Sequence, residues 1–283
     1  MAKQKREVEV VVLSDIHLGT YGCHAKELVA YLKSVSPKVL ILNGDVIDGW
    51  AFSKRYFPNS HMAVLSEFFK MMKKGTQVIY ITGNHDEFLR KYTDLSMGNL
   101  FLTDKYLLEI EGKKHWIFHG DVFDHTTSGS AKFIAKLGGM GYDWLILVNR
   151  AINWILEKFG KGKVSLSKKV KNSVKKAVKF IGDFEKKATE IAINNHYDYV
   201  ICGHMHQPAD KIWTTEKGSV HYLNSGDWIE NLSWLEFDKG NWSLKFFNEK
   251  DFEKPIIEKN DISVNMEELI HPKVFAEFAT QKV

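Results

Sequence analysis

Glu7-Val8-Glu9-Val10-Val11-Val12-Leu13-Ser14-Asp15-Ile16-His17 decides how this chain of 283 residues is read. Residues 7–13 are a nearly continuous β-branched run, the pattern of a strand buried on both faces. The run stops at Ser14, and Asp15 and His17 follow at once. The arrangement recurs. Val39 to Leu42 reads as a second strand, ending at Asn43-Gly44-Asp45-Val46-Ile47-Asp48. Val78 to Ile81 reads as a third, ending at Gly83-Asn84-His85-Asp86. Helical periodicity fills the gaps. One helix is expected over His24 to Val35, closed by Pro37, and another over His61 to Lys74, stopped by Gly75. Strand–loop–helix alternation with polar clusters at strand carboxyl ends is how α/β sheets place their sites.

The pattern then changes. Tyr106 to Glu111 and Lys114 to Phe118 form an expected hairpin turning at Gly112, and His119-Gly120-Asp121 follows its second strand. From Tyr199 strands dominate: 199–202, 211–215, 220–223, 232–238 and 242–248, with a turn at Asp238-Lys239-Gly240-Asn241. The first of these runs ends at Gly203-His204-Met205-His206, and the third at Asn224-Ser225-Gly226-Asp227. The expectation is a single α/β domain over 1–283: two packed sheets of mixed direction with helices on their outer faces. Residues 126–195 interrupt that core as a helical insert. Its first helix carries an apolar stripe from Trp144 to Phe159 and also Trp154, and its second is lysine-rich, with Lys168, Lys171 and Lys175 among others.

Composition narrows the class. Hydrophobic residues make up 44% and charged residues 26%, an ordinary globular balance, and the formal net charge is +4. The two cysteines do not resemble a disulfide framework, and Cys202 sits in an apolar run as a core thiol. No segment has the ~20 apolar residues of a membrane span, and Met1 to Arg6 lead into the first strand with no signal-peptide apolar region. The expected location is cytoplasmic, with room for peripheral contact at the inner face of the membrane. Nothing in the sequence fixes an oligomeric state.

The strand-end clusters carry the chemistry. Asp and His together suit borderline divalent ions such as Mn, Fe, Zn or Co. In extended segments i and i+2 share a face, so Asp15 and His17 can reach one ion; His204 and His206 can serve one ion or two neighbours. Gly44 lets Asp45 approach closely enough to bridge, as ions about 3.5–4 Å apart require. Singly, Asp15 would pass as a turn former, His119 as a core histidine and Asn84 as a cap. Together, at five strand ends, they point to a two-metal hydrolytic centre.

The series Asp-x-His, Gly-Asp-x-x-Asp, Gly-Asn-His-Asp, His-Gly-Asp and Gly-His-x-His over residues 7–250 resembles the calcineurin-like metallophosphoesterase superfamily. The resemblance implies a four-layer αββα sandwich and two divalent ions, Mn²⁺ favoured. It implies Asp15, His17, Asp45 and His206 on one ion, and Asp45, Asn84, His119 and His204 on the other. It implies that His85 protonates the leaving oxygen or holds the phosphate. Asp86 is grouped with it as catalytic and, with Asp48 and Asp121, can orient histidine ligands; for Asp48 and Asp121 a turn or cap reading stands equally. Gly203-His204-Met205-His206-Gln207-Pro208-Ala209 and the helical insert look like the UDP-2,3-diacylglucosamine diphosphatase branch. That branch cleaves a lipid A precursor to UMP and a diacylglucosamine 1-phosphate. Two features depart from its best-known members: His85 stands where they have Arg, and Asn224-Ser225-Gly226-Asp227-Trp228 is a motif of other relatives.

Three readings of the insert stay open at this point: a helical hairpin packed on the core, a lid for acyl chains, or a basic amphipathic anchor on anionic lipid. The expected partners are a phosphate ester or lipid diphosphate and a membrane surface. The alternative is a soluble phosphodiesterase acting on nucleotides or nucleic acid. Its lysines would track a phosphate backbone, yet no aromatic-interleaved basic stretch accompanies them.

Overall fold

The structure is a computed structural model that describes residues 5–50, 56–123, 167–253 and 255, with only the backbone helix described over 167–177. The expected strand β1 runs Arg6–Leu13, then helix α1 Ala25–Ser34, β2 Val35–Asn43, helix α2 Asn59–Lys73 and β3 Gln77–Ile81. Strands β4 Ser96–Met97, β5 Leu100–Thr103, β6 Lys105–Ile110 and β7 Lys113–Phe118 follow. Helix α3 Ser167–Asn194 then precedes β8 Tyr199–Cys202, β9 Ala209–Thr215, β10 Gly218–Asn224, β11 Ser233–Asp238 and β12 Asn241–Phe246.

These strands make two mixed sheets. The first has order β12-β11-β1-β2-β3-β5-β4, and the second β6-β7-β8-β10-β9. In the first, β1, β2, β3 and β5 run parallel; in the second, β7, β8 and β10 do. Between the sheets lie Val10, Val12, Ile41, Ile79, Ile81, Ile117, Ile201 and Leu223, supplied by alternate positions of strands buried on both faces. The opposite face of the first sheet buries Val11, Leu13, Leu40 and Leu42 against Leu28, Val29 and Leu32 of α1 and Val64 and Phe68 of α2. The outer face of the second sheet buries Val200, Cys202 and Tyr222 against Phe184, Ala188 and Ala192 of α3. The layering is therefore αββα, and the C-terminal turns of α3 are its fourth layer.

Several boundaries differ from the sequence reading. Strand β2 starts at Val35, not Val39, and carries Pro37 within it. Val8 of β1 is paired opposite Pro37, so tertiary pairing overrides the break a proline suggests. The strand β5 and the short β4 extend the first sheet beyond β3, where Gly98-Asn99 had masked any periodicity. Both expected hairpin turns form, with Glu111-Gly112 and Lys239-Gly240 at positive φ, as tight type I′ geometry requires. The helix expected around Trp144 and Trp154 lies outside the described residues. No helix among the described residues is long and apolar enough to cross a membrane.

One buried carboxylate ties three elements together. Glu236 of β11, 2% exposed, accepts from Arg6 Nη1 at 2.9 Å and Nη2 at 2.7 Å. It also accepts from Trp234 Nε1 at 2.9 Å and Tyr31 Oη at 3.1 Å. Burial alone would raise its pKa; the bonds from Arg6, Trp234 and Tyr31 outweigh burial and hold it below the ordinary 4.5. A carboxylate more acidic folded than unfolded contributes stability that is complete above the unfolded value and lost as pH falls below it. Glu236→Gln should cost about 2–4 kcal/mol at neutral pH in urea unfolding, through an unbalanced Arg6 and a misplaced donor. The gap to wild type should narrow as pH is lowered from about 5 to 3. A gap constant across that range would show that ionised Glu236 is not what stabilises this corner.

Candidate metal centre

The strand ends converge because β1, β2 and β3 are parallel neighbours and β7, β8 and β10 run parallel in the facing sheet. The loops that leave them are stitched to one another. Asp15 N donates to Gly44 O at 3.1 Å, His17 N to Asp45 O at 2.9 Å and Gly203 N to His119 O at 2.9 Å. The two sheets are joined at the same edge, where Asn43 Nδ2 donates to Phe118 O at 3.2 Å.

Five of the seven expected ligands stand in the left-handed region: Asp15 (φ 51°), His17 (53°), Asp45 (52°), His204 (63°) and His206 (51°). Such backbone costs about 1–3 kcal/mol per non-glycine residue and persists only where the surroundings enforce it. Each turn swings a side chain off the strand and into the space between the loops. Among the described residues the donor atoms form three groups within reach of a cation: Asp15–His17–His206, Asp45–His119–His204, and His17–Asp48–His85, which shares His17 with the first. In the first, His206 Nε2 lies 3.2 Å from Asp15 Oδ1 and 3.4 Å from His17 Nε2. Asp45 stands between the first two groups: its Oδ2 is 3.3 Å from His119 Nε2 and 3.9 Å from His17 Nε2.

Two donor atoms there are buried without a hydrogen bond of good geometry: Asn84 Oδ1, and His119 Nε2, which faces only the Asp45 carboxylate at 3.3 Å. Buried polar atoms are almost always satisfied, and both are good ligands for a borderline divalent ion. The residues present therefore fit the two-ion centre the sequence implied.

Glycines make room for this crowding. A Cβ on Gly44 (φ +80°) would run into the His119 ring, and one on Gly83 into the carboxylate and backbone nitrogen of Asp45. Gly83→Ala should therefore displace Asp45 without deleting any ligand. We expect at least a 100-fold loss of phosphoesterase activity and loss of bound metal by elemental analysis, with the circular-dichroism spectrum retained. Retention of full activity would mean Asp45 does not occupy the position described.

The supporting residues separate into groups that the sequence did not distinguish. Asp48 Oδ2 lies 3.0 Å from His85 Nδ1 and 3.4 Å from His17 Nδ1, so it orients two histidines. Asp86, grouped above with the catalytic residues, is wholly buried; it accepts from Val46 N, Tyr80 Oη and Gly83 N at 3.0, 2.7 and 2.5 Å. Those bonds engage both its oxygens, so Asp86 clamps two loops together, and burial with the nearby Asp45 carboxylate raises its pKa. Asp121 pairs with Arg90 at 2.5 Å rather than with a histidine. Three contributors escaped the sequence reading. The carbonyl of Asn43 lies 2.9 Å from His119 Nδ1 and leaves Nε2 as the ligand. Asp227 Oδ2 lies 3.6 Å from His206 Nδ1. Trp50, 45% exposed, lays its ring on His85 with centroids 4.1 Å apart. A backbone carbonyl has no sequence signal; Asp227 lies inside a motif the sequence marks, without a role there, and Trp50 lies beside another. Lys168, Lys171 and Lys175 fall on the α3 backbone without described side chains, and Trp144 and Trp154 lie outside the described residues.

Electrostatics match a cation site. Burial opposes ionisation of Asp15, but His206 and His119 outweigh it and hold the carboxyl at about 2. Burial opposes Asp45 likewise, and His119, His17 and His85 hold it well below the carboxylate range. His119 and His206 are correspondingly raised against their burial by Asp45 and Asp15, His206 to about 8. The carboxylates are thus ionised, and a cation entering the cluster displaces protons from the imidazoles.

Residues 8–208 match the calcineurin-like phosphoesterase family, and the chain belongs to it. It is a metal-dependent phosphoester hydrolase. Among particular proteins, it is similar to the UDP-2,3-diacylglucosamine hydrolase of Aliivibrio fischeri, 23% identical over 239 residues that cover 83% of this chain and 97% of that one. The enzyme of the same name from Blochmanniella pennsylvanica is 24% identical over 247 residues, 84% of this chain and 96% of its own. A shorter match, 31% over 144 residues, is to the DNA polymerase II small subunit of Thermoplasma acidophilum, covering 42% of this chain and 30% of that one.

Proposed function

We propose that this chain hydrolyses the diphosphate of UDP-2,3-diacylglucosamine to UMP and 2,3-diacylglucosamine 1-phosphate. The observation that carries the reading is similarity to hydrolases of that name over 83% and 84% of this chain, together with the clustered Asp and His donors. The shorter polymerase-subunit match favours a second reading, a phosphodiesterase acting on nucleotides or nucleic acid. Released UMP from UDP-2,3-diacylglucosamine with Mn²⁺ present decides between them; hydrolysis of a nucleic-acid or nucleotide diester without UMP release overturns the first.

In this reading Asp15, His17, Asp45 and His206 hold one ion, and Asp45, Asn84, His119 and His204 the other. Two such ions, Mn²⁺ in our reading, supply Lewis-acid stabilisation of phosphoryl charge and activation of water. The protein's part is to hold the donors and place His85. Asp48 takes His85 Nδ1, so Nε2 is the atom left for the leaving oxygen. Burial works against charge on His85, but Asp48 and Asp45 raise its pKa above the ordinary 6.5. It therefore keeps its proton to higher pH than a free imidazole and acts as the general acid. In the same reading the part of the insert that precedes the last turns of α3 receives the acyl chains and brings the site to the bilayer through its lysines and tryptophans.

Asp45→Ala should lower bound metal from two ions toward one or none and abolish activity; two tightly bound ions in that variant would remove its bridging role. His85→Ala should keep both ions and lose about 10²–10⁴ in kcat. The loss should shrink on an activated aryl phosphate ester, which needs little protonation. Equal losses on both substrates would leave His85 only a phosphate-positioning role.

A further inference from the structure

The loop of the motif Asn224-Ser225-Gly226-Asp227-Trp228 lies directly behind the first group of donors. Asn224 Nδ2 donates to Gly203 O at 2.9 Å, and Ser225 Oγ is 2.7 Å from Ser14 Oγ. Trp228 is fully buried among Tyr31 and Trp234, and its backbone N donates to Asp15 O at 3.1 Å. The loop is thus anchored on one side in the core and attached on the other to the segments bearing Asp15 and His206.

Asp227 is fully buried in the middle of it, and its two oxygens have different surroundings. Oδ1 accepts from the backbone nitrogens of Ile229, Glu230 and Asn231 at 2.8, 2.6 and 3.0 Å. That is a cap, and it shapes the turn. Oδ2 faces the site: Asn231 Nδ2 donates to it at 2.8 Å, and His206 Nδ1 lies 3.6 Å away. Asn231 Nδ2 also donates to the carbonyl of His206 at 2.9 Å. The imidazole is therefore held at its backbone and faced by a carboxylate at Nδ1, while its Nε2 points at Asp15 and His17.

We propose that Asp227 is the positioning residue for the first ion. The charge on its Oδ2, 3.6 Å from His206 Nδ1, favours the tautomer with the proton on Nδ1, so that the Nε2 lone pair is the ligand. The proposal rests on the assignment of Asp15, His17, Asp45 and His206 to that ion. A ligating histidine generally gives its other N–H to a carboxylate or carbonyl, and loss of that partner weakens metal binding about 10–100-fold. The second ion has a different arrangement, since His119 Nδ1 is held by the Asn43 carbonyl. The two ions should therefore respond differently to a change at Asp227.

Asp227→Asn separates the two duties of the carboxylate. The new side-chain oxygen can keep the three backbone N–H groups. The amide then faces His206 Nδ1 as a donor, which favours a lone pair at Nδ1 and puts the proton on Nε2, where it blocks ligation. Titration of metal-free protein with Mn²⁺, followed calorimetrically, should show one ion weakened about 10–100-fold and the other unchanged. The metal-free variant should melt somewhat lower than wild type, because the new amide also meets Asn231 Nδ2 as donor against donor. His17→Ala is the control: it should lose the same ion.

If His17→Ala loses that ion and Asp227→Asn binds both as wild type does, the positioning role is overturned while the ligand assignment stands. Equal weakening of both ions in Asp227→Asn, or a lower melting temperature with intact affinity, also overturns it and leaves Asp227 a cap. If His17→Ala keeps both ions, the ligand assignment itself is wrong. Should the Asp227 variant not fold, long-range ¹H–¹⁵N spectra of zinc-loaded wild type decide. They should show His206 protonated at Nδ1 and ligated through Nε2; the reverse tautomer overturns the proposal.

Discussion

The Asp45 carboxylate is the point on which the site depends. It is buried, it lies 3.3 Å from one imidazole and 3.9 Å from another, and it joins two groups of donors. Its position follows from the fold. Parallel pairing of Leu13 with Leu42 brings the ends of β1 and β2 level. The bonds from Asp15 N to Gly44 O and His17 N to Asp45 O then lock the two exit loops together. From the third strand, His85 N donates to Asp45 Oδ1 at 2.8 Å. Three neighbouring strands thus determine where one carboxylate sits.

Holding it there has a structural cost that other regions offset. Five donors in left-handed backbone would each relax if their neighbours allowed it. The neighbours do not. Val11, Leu13, Leu40 and Leu42 are buried against α1 and α2, and Ile41, Ile79 and Ile201 fill the space between the sheets. Interiors of that density are not continuously deformable. Asp86 adds a local clamp, joining the loop after β2 to the loop after β3 through Val46 N and Gly83 N. The rigid sheets thus allow strained loops to be held without collapse around ionised carboxylates.

Much of this was legible because fully buried parallel strands read as apolar runs, and their ends are marked by the first polar residues. Asp15, Asp45, Asn84, His119 and His204 all carry that signal. What was missed depends on direction rather than composition. Pro37 suggested a break because a proline interrupts most patterns, whereas pairing with β1 accommodates it. Asp86 sits next to His85, but adjacent side chains diverge, and its carboxylate turns into the interior. Asp121 follows His119 yet meets Arg90. For the lysine-rich helix three readings stayed open, and Phe184, Ala188 and Ala192 pack its last turns on the second sheet, as the first of them has it. Short strands such as β4, with only two residues, have no period to detect.

The most direct test of the dinuclear centre is anomalous diffraction from crystals of the protein grown with Mn²⁺, measured near the manganese edge. The account predicts two peaks separated by about 3.5–4 Å with Asp45 between them. One should be enclosed by Asp15, His17 and His206, and the other by Asn84, His119 and His204. A single peak at full occupancy, or two peaks that do not share Asp45, would contradict it.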